Sequence, residues 1–305
     1  MSVSKYILKA AFAAVLTLFA APLLRAADGD LFPYPKVPDD KVTLSERCNY
    51  LVHHFWDKAN TTAMFSSRQK LRGTFGDWVG FMPYATADTV HLSIDRLIEK
   101  VSKNGPNTLA LAEIAEGWLY SDTSEIYSEE LYLPFAKAAA THKKIGKAEK
   151  ERLAAQVKVI ESSGLYATVP ADIRFTASDG TQMRIGDLKG RSILLAFVDP
   201  MCSDCQLDMV RLAADPNIRD LTASGDMTVV MLYASRPDER WQAKVAQMPE
   251  GWISGTMPDA DEYFDLSAIP AYHLLNSEHK VMAKRLAADD LLQAAMNTVL
   301  RRQNK

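Results

Sequence analysis

From Thr43 to about Ser163 the apolar positions recur every three or four residues, with polar or turn-forming stretches between the runs. That is the period of helices which each bury one stripe. Thr43 or Ser45 is placed to cap a first helix carrying Cys48, Leu51, Val52, Phe55 and Trp56. Val90, Ile94, Leu97, Ile98 and Val101 mark a helix over 86–103, stopped by Lys103-Asn104-Gly105-Pro106. Leu109, Leu111, Ile114, Ala115 and Leu119 mark another over 108–120. Two more are expected over 129–142 and 148–162, parted near Gly146. The connections are short, so the pattern predicts an all-α domain of five or six helices over 30–163. Its lead-in, 30–40, holds Pro33, Pro35 and Pro38 and reads as extended.

The period changes at Ser163-Gly164. Short strand-like runs at 173–177 and 182–185 flank Ser178-Asp179-Gly180, a hairpin signal. Ser192–Val198 (SILLAFV) is a continuous apolar run, as a strand buried on both faces requires, and Met227–Tyr233 (MTVVMLY) reads as a second buried strand. Helical patterns follow each of them, at 202–214, ended or kinked by Asp215-Pro216, and at 237–247. A strand pair at 271–276 and 280–286 and a terminal amphipathic helix at 288–302 complete the chain. This order predicts an α/β domain over 166–305, a mixed sheet with helices on its faces.

Residues 1–26 have a different character. Lys5 and Lys9 precede the apolar stretch 10–24, broken late by Pro22, and Ala26 and Ala27 offer small residues for cleavage. This is the layout of a secretory signal peptide, too short and wrongly flanked for a membrane span. The expected location is periplasmic or secreted, with no membrane span after cleavage; an uncleaved anchor is the alternative. Cleavage would remove three of the 35 basic residues and none of the 38 acidic ones, leaving a net charge of −6. A moderately acidic chain without a basic block argues against nucleic acid as a partner.

Three cysteines in 305 residues make no disulfide scaffold. Cys48 lies among apolar helix positions and reads as a buried thiol. Cys202-Ser203-Asp204-Cys205 follows the apolar run at 192–198, and three readings stand: a redox pair, half of a metal site, or an inert disulfide. No second Cys-x-x-Cys or spaced histidine pair completes a zinc site, so no metal or organic cofactor is expected. At a helix start, unpaired N–H groups and the positive end of the dipole would favour a Cys202 thiolate. Cys205, one turn on, is within reach to resolve a mixed disulfide. Adjacent His53 and His54 would point apart on a helix, in surface or capping roles. Asp259, Asp261, Glu262 and Asp265 lack calcium-loop spacing and read as a solvated face. The aromatics Phe55, Trp56, Trp78 and Trp118 read as core.

The stretch VPADIRFTASDGTQMRIGDLKGRSILLAFVDPMCSDC, followed later by SAIPAYHLLNSEHKV, resembles exported thioredoxin-like thiol–disulfide oxidoreductases of the TlpA/ResA type over about 169–305. The resemblance implies a thioredoxin-like fold in which Cys202 attacks and Cys205 resolves. It also implies a cis peptide bond at Ile269-Pro270, facing the cysteines and binding the substrate. Its partners would be protein thiol or disulfide substrates and an upstream thiol reductant. The chain departs from that pattern at Met201, where tryptophan is common, and at Ala196, where a buried carboxylate is common. Thiol peroxidases place a threonine shortly before the reactive cysteine, and Asp199-Pro200-Met201 offers none. Asp204 and Asp208 bring negative charge near Cys202, which points to a reductant rather than a strong oxidant. A binding module with a purely structural disulfide is the rival reading. YLVHHFWDKANTT and the helices after it resemble, more loosely, a helical domain of unknown function found ahead of such redox domains.

Overall fold

The computed structural model describes residues 31–121 and 123–303; the expected signal peptide lies outside the described residues. The chain divides into two compact units, Met1–Ile126 and Tyr127–Lys305.

The described part of the first unit is helical: α1 Leu44–His54, α2 Thr61–Met64, α3 Arg68–Phe81, α4 Ala87–Val101 and α5 Gly105–Leu119. Thr43 and Glu46 close a reciprocal capping box at the start of α1, and Asn60, Ser67 and Asn104 cap α2, α3 and α5. Phe55, Trp56, Phe75 and Trp78 pack edge to face in the core. The Val52 carbonyl accepts from Trp78 Nε1 (3.3 Å) and Ser93 Oγ (2.6 Å), tying three helices at one buried atom. Helix α3 has no counterpart in the sequence-based expectations. Its stripe, Leu71, Phe75, Trp78 and Val79, is diluted by Gly73, Gly76 and Gly80. Nor do His53 and His54 point apart: they close the last turn of α1 with ring centroids 4.6 Å from each other, steered by Arg96 and Asp57. Cys48 is a free thiol, 3% exposed, and burial raises its pKa.

The second unit opens with α6 Glu129–Ala140 and α7 Lys147–Ser163, then builds one seven-stranded sheet. Its strands are β1 Arg174–Ala177, β2 Gln182–Arg184, β3 Ser192–Val198, β4 Met227–Tyr233, β5 Ile253–Thr256, β6 Ala271–Asn276 and β7 Val281–Lys284, in the spatial order β2-β1-β5-β4-β3-β6-β7. Strand β3 runs parallel to β4 and antiparallel to β6, with β4 and β5 also parallel. Helices α8 Ser203–Ala214, α9 Pro216–Ala223, α10 Glu239–Val245 and α11 Ala288–Gln303 complete the unit. Alternate residues of β3 feed two apolar layers. Leu194, Ala196 and Val198 pack with Leu212, Leu221, Trp241 and Leu291, whereas Ile193, Leu195 and Phe197 pack with Phe175, Ile185, Leu188 and Phe264. Asp215 ends α8 and caps α9, its side chain accepting from Asn217 and Ile218 N–H, so Asp215-Pro216 separates two helices. Strand β5 is too short and polar to read as a strand from sequence. Gly255 suits it because a Cβ there would meet Thr176 O at 2.6 Å.

A buried ion pair fastens the helical pair to the sheet. Lys284 Nζ, at the end of β7, lies 2.6 Å from Glu129 Oε1 in the first turn of α6, the two side chains being 5% and 4% exposed. Glu129 also accepts from Tyr127 Oη and from Leu165 N–H, both at 3.0 Å. Lys158 on α7 pairs with Glu262 (2.7 Å) and covers the Tyr263 ring. The compact unit therefore begins at Tyr127, while the change of sequence period, at 163–164, marks where helix gives way to strand.

Breaking a buried pair from one side leaves an uncompensated charge. Glu129→Ala is expected to lower the stability of this unit by about 3–5 kcal/mol in urea unfolding, whereas Lys158→Ala, at an exposed pair, should change it little. His273 on β6, 1% exposed, carries a second expectation. Burial, and then the Lys284 charge, push its pKa down to about 3, against a partial pull upward from Asp265. The native ring stays neutral while the unfolded one protonates below about pH 6.5. Stability from this group is therefore full above pH 6.5 and falls towards pH 3, by up to about 1.4 kcal/mol per pH unit. His273→Leu should flatten that slope in acid unfolding titrations.

Candidate active site

The chain leaves β3 at Val198 and turns at once. Asp199 Oδ1 accepts from Met201 N–H (2.7 Å), and the Asp199 carbonyl accepts from Cys202 N–H (3.1 Å). That turn sets Cys202 as the N-cap of α8, where its Sγ accepts from Cys205 N–H at 3.0 Å. Cys202 and Cys205 form a disulfide across 5.2 Å between Cα atoms. Their exposure is unequal: Cys202 is half-buried, whereas Cys205 is 4% exposed. Behind Cys205 is a hollow of ≈ 20 Å³ lined by Met209, Met231, Met248 and Trp241 among others, with room for about one water. A thiolate at Cys205 would be poorly solvated there, whereas one at Cys202 would keep the N–H donor and the helix start.

Opposite the disulfide, the Ile269–Pro270 peptide bond is cis. The antiparallel register pairs Phe197 with Ala271, so the residues leaving β3 and those entering β6 meet at one end of the sheet. Cys202 Sγ lies 3.8 Å from the Ile269 carbonyl oxygen. In the disulfide that sulfur has no proton to donate; on reduction the thiol can donate across this contact. All four residues singled out from sequence, Cys202, Cys205, Ile269 and Pro270, thus come together.

The surrounding charges differ in kind. Asp204 is exposed in the first turn of α8. Asp208 is half-buried, accepts from Tyr272 Oη (3.0 Å) and faces Arg211, which also pairs with Asp289. Burial, then the Asp208 charge and hydrogen bond, hold the Tyr272 phenol far above its ordinary pKa. Tyr272 is the cross-strand partner of Ala196 and shares its apolar layer with Cys205. The small alanine at 196 is matched by this aromatic neighbour, whose hydroxyl takes up Asp208. Sequence reasoning missed that pairing; its one signal is a tyrosine within a buried strand, two residues after Pro270. Asp265 is a correction to the solvated acidic face, for it is largely buried and accepts from Ser267 N–H and Arg285.

Among the described residues no group of three or more His, Cys, Asp or Glu is arranged to hold a metal ion, and no helix is long and apolar enough to cross a membrane.

A mixed sheet whose central strand runs into a disulfide at a helix start, with a cis-proline entering the neighbouring strand, defines a thioredoxin-like fold. The solved structure of a thioredoxin-like protein from Bacteroides caccae shares it, with a TM-score of 0.69 at 23% identity over 87% of this chain and 98% of that one. The chain belongs to the family described as a domain of unknown function (DUF5106), whose model matches residues 10–163. Shorter similarities include the thioredoxin domain of a thiol-disulfide oxidoreductase from Bacteroides vulgatus, at 22% identity over 44% of this chain and 97% of that one, with a TM-score of 0.39. A thiol:disulfide interchange protein from Bacteroides sp. is similar at 23% identity over 47% of this chain and 93% of that one, with a TM-score of 0.38. No curated protein matches the chain.

The unequal burial yields a direct expectation. After reduction, limiting iodoacetamide should alkylate Cys202 first, and Cys205 and Cys48 slowly until denaturant is added, as read by peptide mass. Equal labelling of Cys202 and Cys205 would contradict the assignment of the nucleophile.

Proposed function

We propose that the chain is an exported thiol–disulfide oxidoreductase acting on protein substrates, and a reductant rather than a strong oxidant. The observation that carries this reading is Cys202 Sγ, held at the start of α8 by Cys205 N–H and 3.8 Å from the carbonyl before the cis-proline. The reduced Cys202 thiolate attacks one sulfur of a substrate disulfide, forming a mixed disulfide and expelling the other sulfur as a thiolate. Cys205 loses its proton and attacks Cys202, and the second substrate sulfur leaves as a thiol. Two electrons pass to the substrate, and the Cys202–Cys205 disulfide is reduced again by an upstream thiol protein. The exposed apolar side chains of Met201 and Leu207 beside the pair suit a polypeptide substrate. The TlpA/ResA likeness and the signal-peptide layout of 1–26 support a periplasmic or secreted site of action, and edman sequencing of the mature protein should then begin near Ala27.

A second reading, a binding module with a structural disulfide, is favoured by Ala196, which leaves the layer behind Cys205 without a carboxylate on β3. One titration separates the two. In graded thiol/disulfide buffers the exchange reading expects a reversible two-electron transition more negative than about −180 mV but above about −300 mV. A pair that stays oxidised below about −300 mV belongs to the binding module, and a value near −120 mV would reject the reductant assignment. Cys205→Ala should also trap mixed disulfides with substrate proteins, and Cys202→Ala should trap none.

A further inference from the structure

The proposed cycle needs Cys205 to give up a proton, and the residue is badly placed to do so unaided. It is 4% exposed and shares an apolar layer with Leu194, Val198, Leu212 and Trp241. Burial holds such a group in its neutral form, so the thiol must pass its proton to a base as it attacks. Strand β3 offers no base, for on this face it presents Leu194, Ala196 and Val198.

Three carboxylates lie close to the pair in sequence. Asp199 lines the hollow behind Cys205, but its Oδ1 is taken up by Met201 N–H in the turn. Asp204 is exposed to solvent. Asp208 differs from both. It follows Cys205 by three residues on α8, a spacing that brings side chains onto one face with Cβ atoms about 5–6 Å apart. Its side chain is only 16% exposed, and the Tyr272 hydroxyl donates to its Oδ2 at 3.0 Å. Tyr272 enters from β6 and packs in the same layer as Cys205. An acid is thereby held against the layer that buries the thiol. Burial and the Asp208 charge keep the Tyr272 phenol protonated, so it remains a donor throughout. The other ionisable groups facing Asp208 are Asp204 and Arg211 of α8 and, through Arg211, Asp289 of α11; Arg211 is 3.9 Å from Oδ1. One hydrogen bond and one long ion pair leave the carboxylate lone pairs to spare.

We propose that Asp208 accepts the Cys205 proton in the resolving step, directly or through one water, and that Tyr272 positions it. This rests on the roles assigned to Cys202 and Cys205. The proton leaves Cys205 Sγ for an Asp208 oxygen while the sulfur's electron pair forms the bond to Cys202 Sγ. The substrate sulfur departs with the electron pair of the mixed disulfide and takes up a proton in turn.

The test uses the full-length protein, reduced and freed of reductant, in stopped flow with the chromogenic disulfide dithiobis(nitrobenzoate). Attack by Cys202 releases one coloured thiolate, and attack by Cys205 on the mixed disulfide releases the second. Cys48 is buried and adds only a later, slower release. With the base in place the rate of the second release should be nearly level from about pH 6 to 8. In Asp208→Asn it should climb about tenfold per pH unit, as the free thiolate fraction does, and lie at least about tenfold below wild type at pH 7. Tyr272→Phe, which keeps the ring in its layer, should fall between the two. The inference is overturned if the wild-type rate already climbs in this way, if a folded Asp208→Asn keeps the level profile, or if Asp199→Asn acquires the climb instead. Should Asp208→Asn fail to fold, Tyr272→Phe decides: an intermediate slope supports the inference and a wild-type profile overturns it. A wild type that releases only one thiolate overturns the roles of the cysteine pair and this inference with them, whereas the slope bears on Asp208 alone.

Discussion

The register between β3 and β6 is the constraint on which the site depends. Pairing Phe197 with Ala271 in an antiparallel ladder fixes where two separate stretches of chain must meet. The residues that leave β3 become the turn and helix start bearing Cys202. Those that enter β6 are Ile269 and Pro270. A slip of one residue would exchange the two faces of β6 and send Tyr272 and His273 into the wrong layers. In the observed register Tyr272 lies opposite Ala196 and packs in the layer of Leu194 and Cys205, whereas His273 lies against Phe197 and Phe264.

Around the disulfide the electrostatics are balanced rather than one-sided. The helix start and the Cys205 N–H favour a thiolate on Cys202. Asp204 and the Ile269 carbonyl oppose it. Asp208, which in sequence looks like a third opposing group, is engaged by the Tyr272 hydroxyl and faced by Arg211, so less of its field reaches the sulfur. A thiolate stabilised only modestly would leave the disulfide comparatively hard to reduce, which is the physical content of the proposed reductant role.

Much of the fold was legible in the sequence where one period dominated. The runs at 192–198 and 227–233 are strands because six of the seven residues in each are apolar, which leaves neither face polar. The meeting of the cysteine pair with Ile269-Pro270 was expected from sequence through the resemblance, the one following the run at 192–198 and the other opening the strand at 271–276. What escaped was set by neighbours rather than by the segment itself. Helix α3 hides behind three glycines, and β5 is a strand only because β1 and β4 supply its partners. Nothing local to His273 announces a ring enclosed by Phe197 and Phe264, nor does anything local to Asp265 announce its burial beside Arg285.

The pair between Glu129 and Lys284 also bears on how the molecule can be cut. Lys284 is on the second-to-last element of the sheet unit, 155 residues from its partner. A fragment begun where the strands begin, after residue 163, would keep the ammonium and lose the carboxylate, and would lose the acceptor for Leu165 N–H as well. The smallest piece that carries its own charge balance starts at Tyr127. Dissection of this chain into separately expressed parts therefore has its natural scissile point in the segment before α6, not at the helix-to-strand junction that the sequence makes conspicuous.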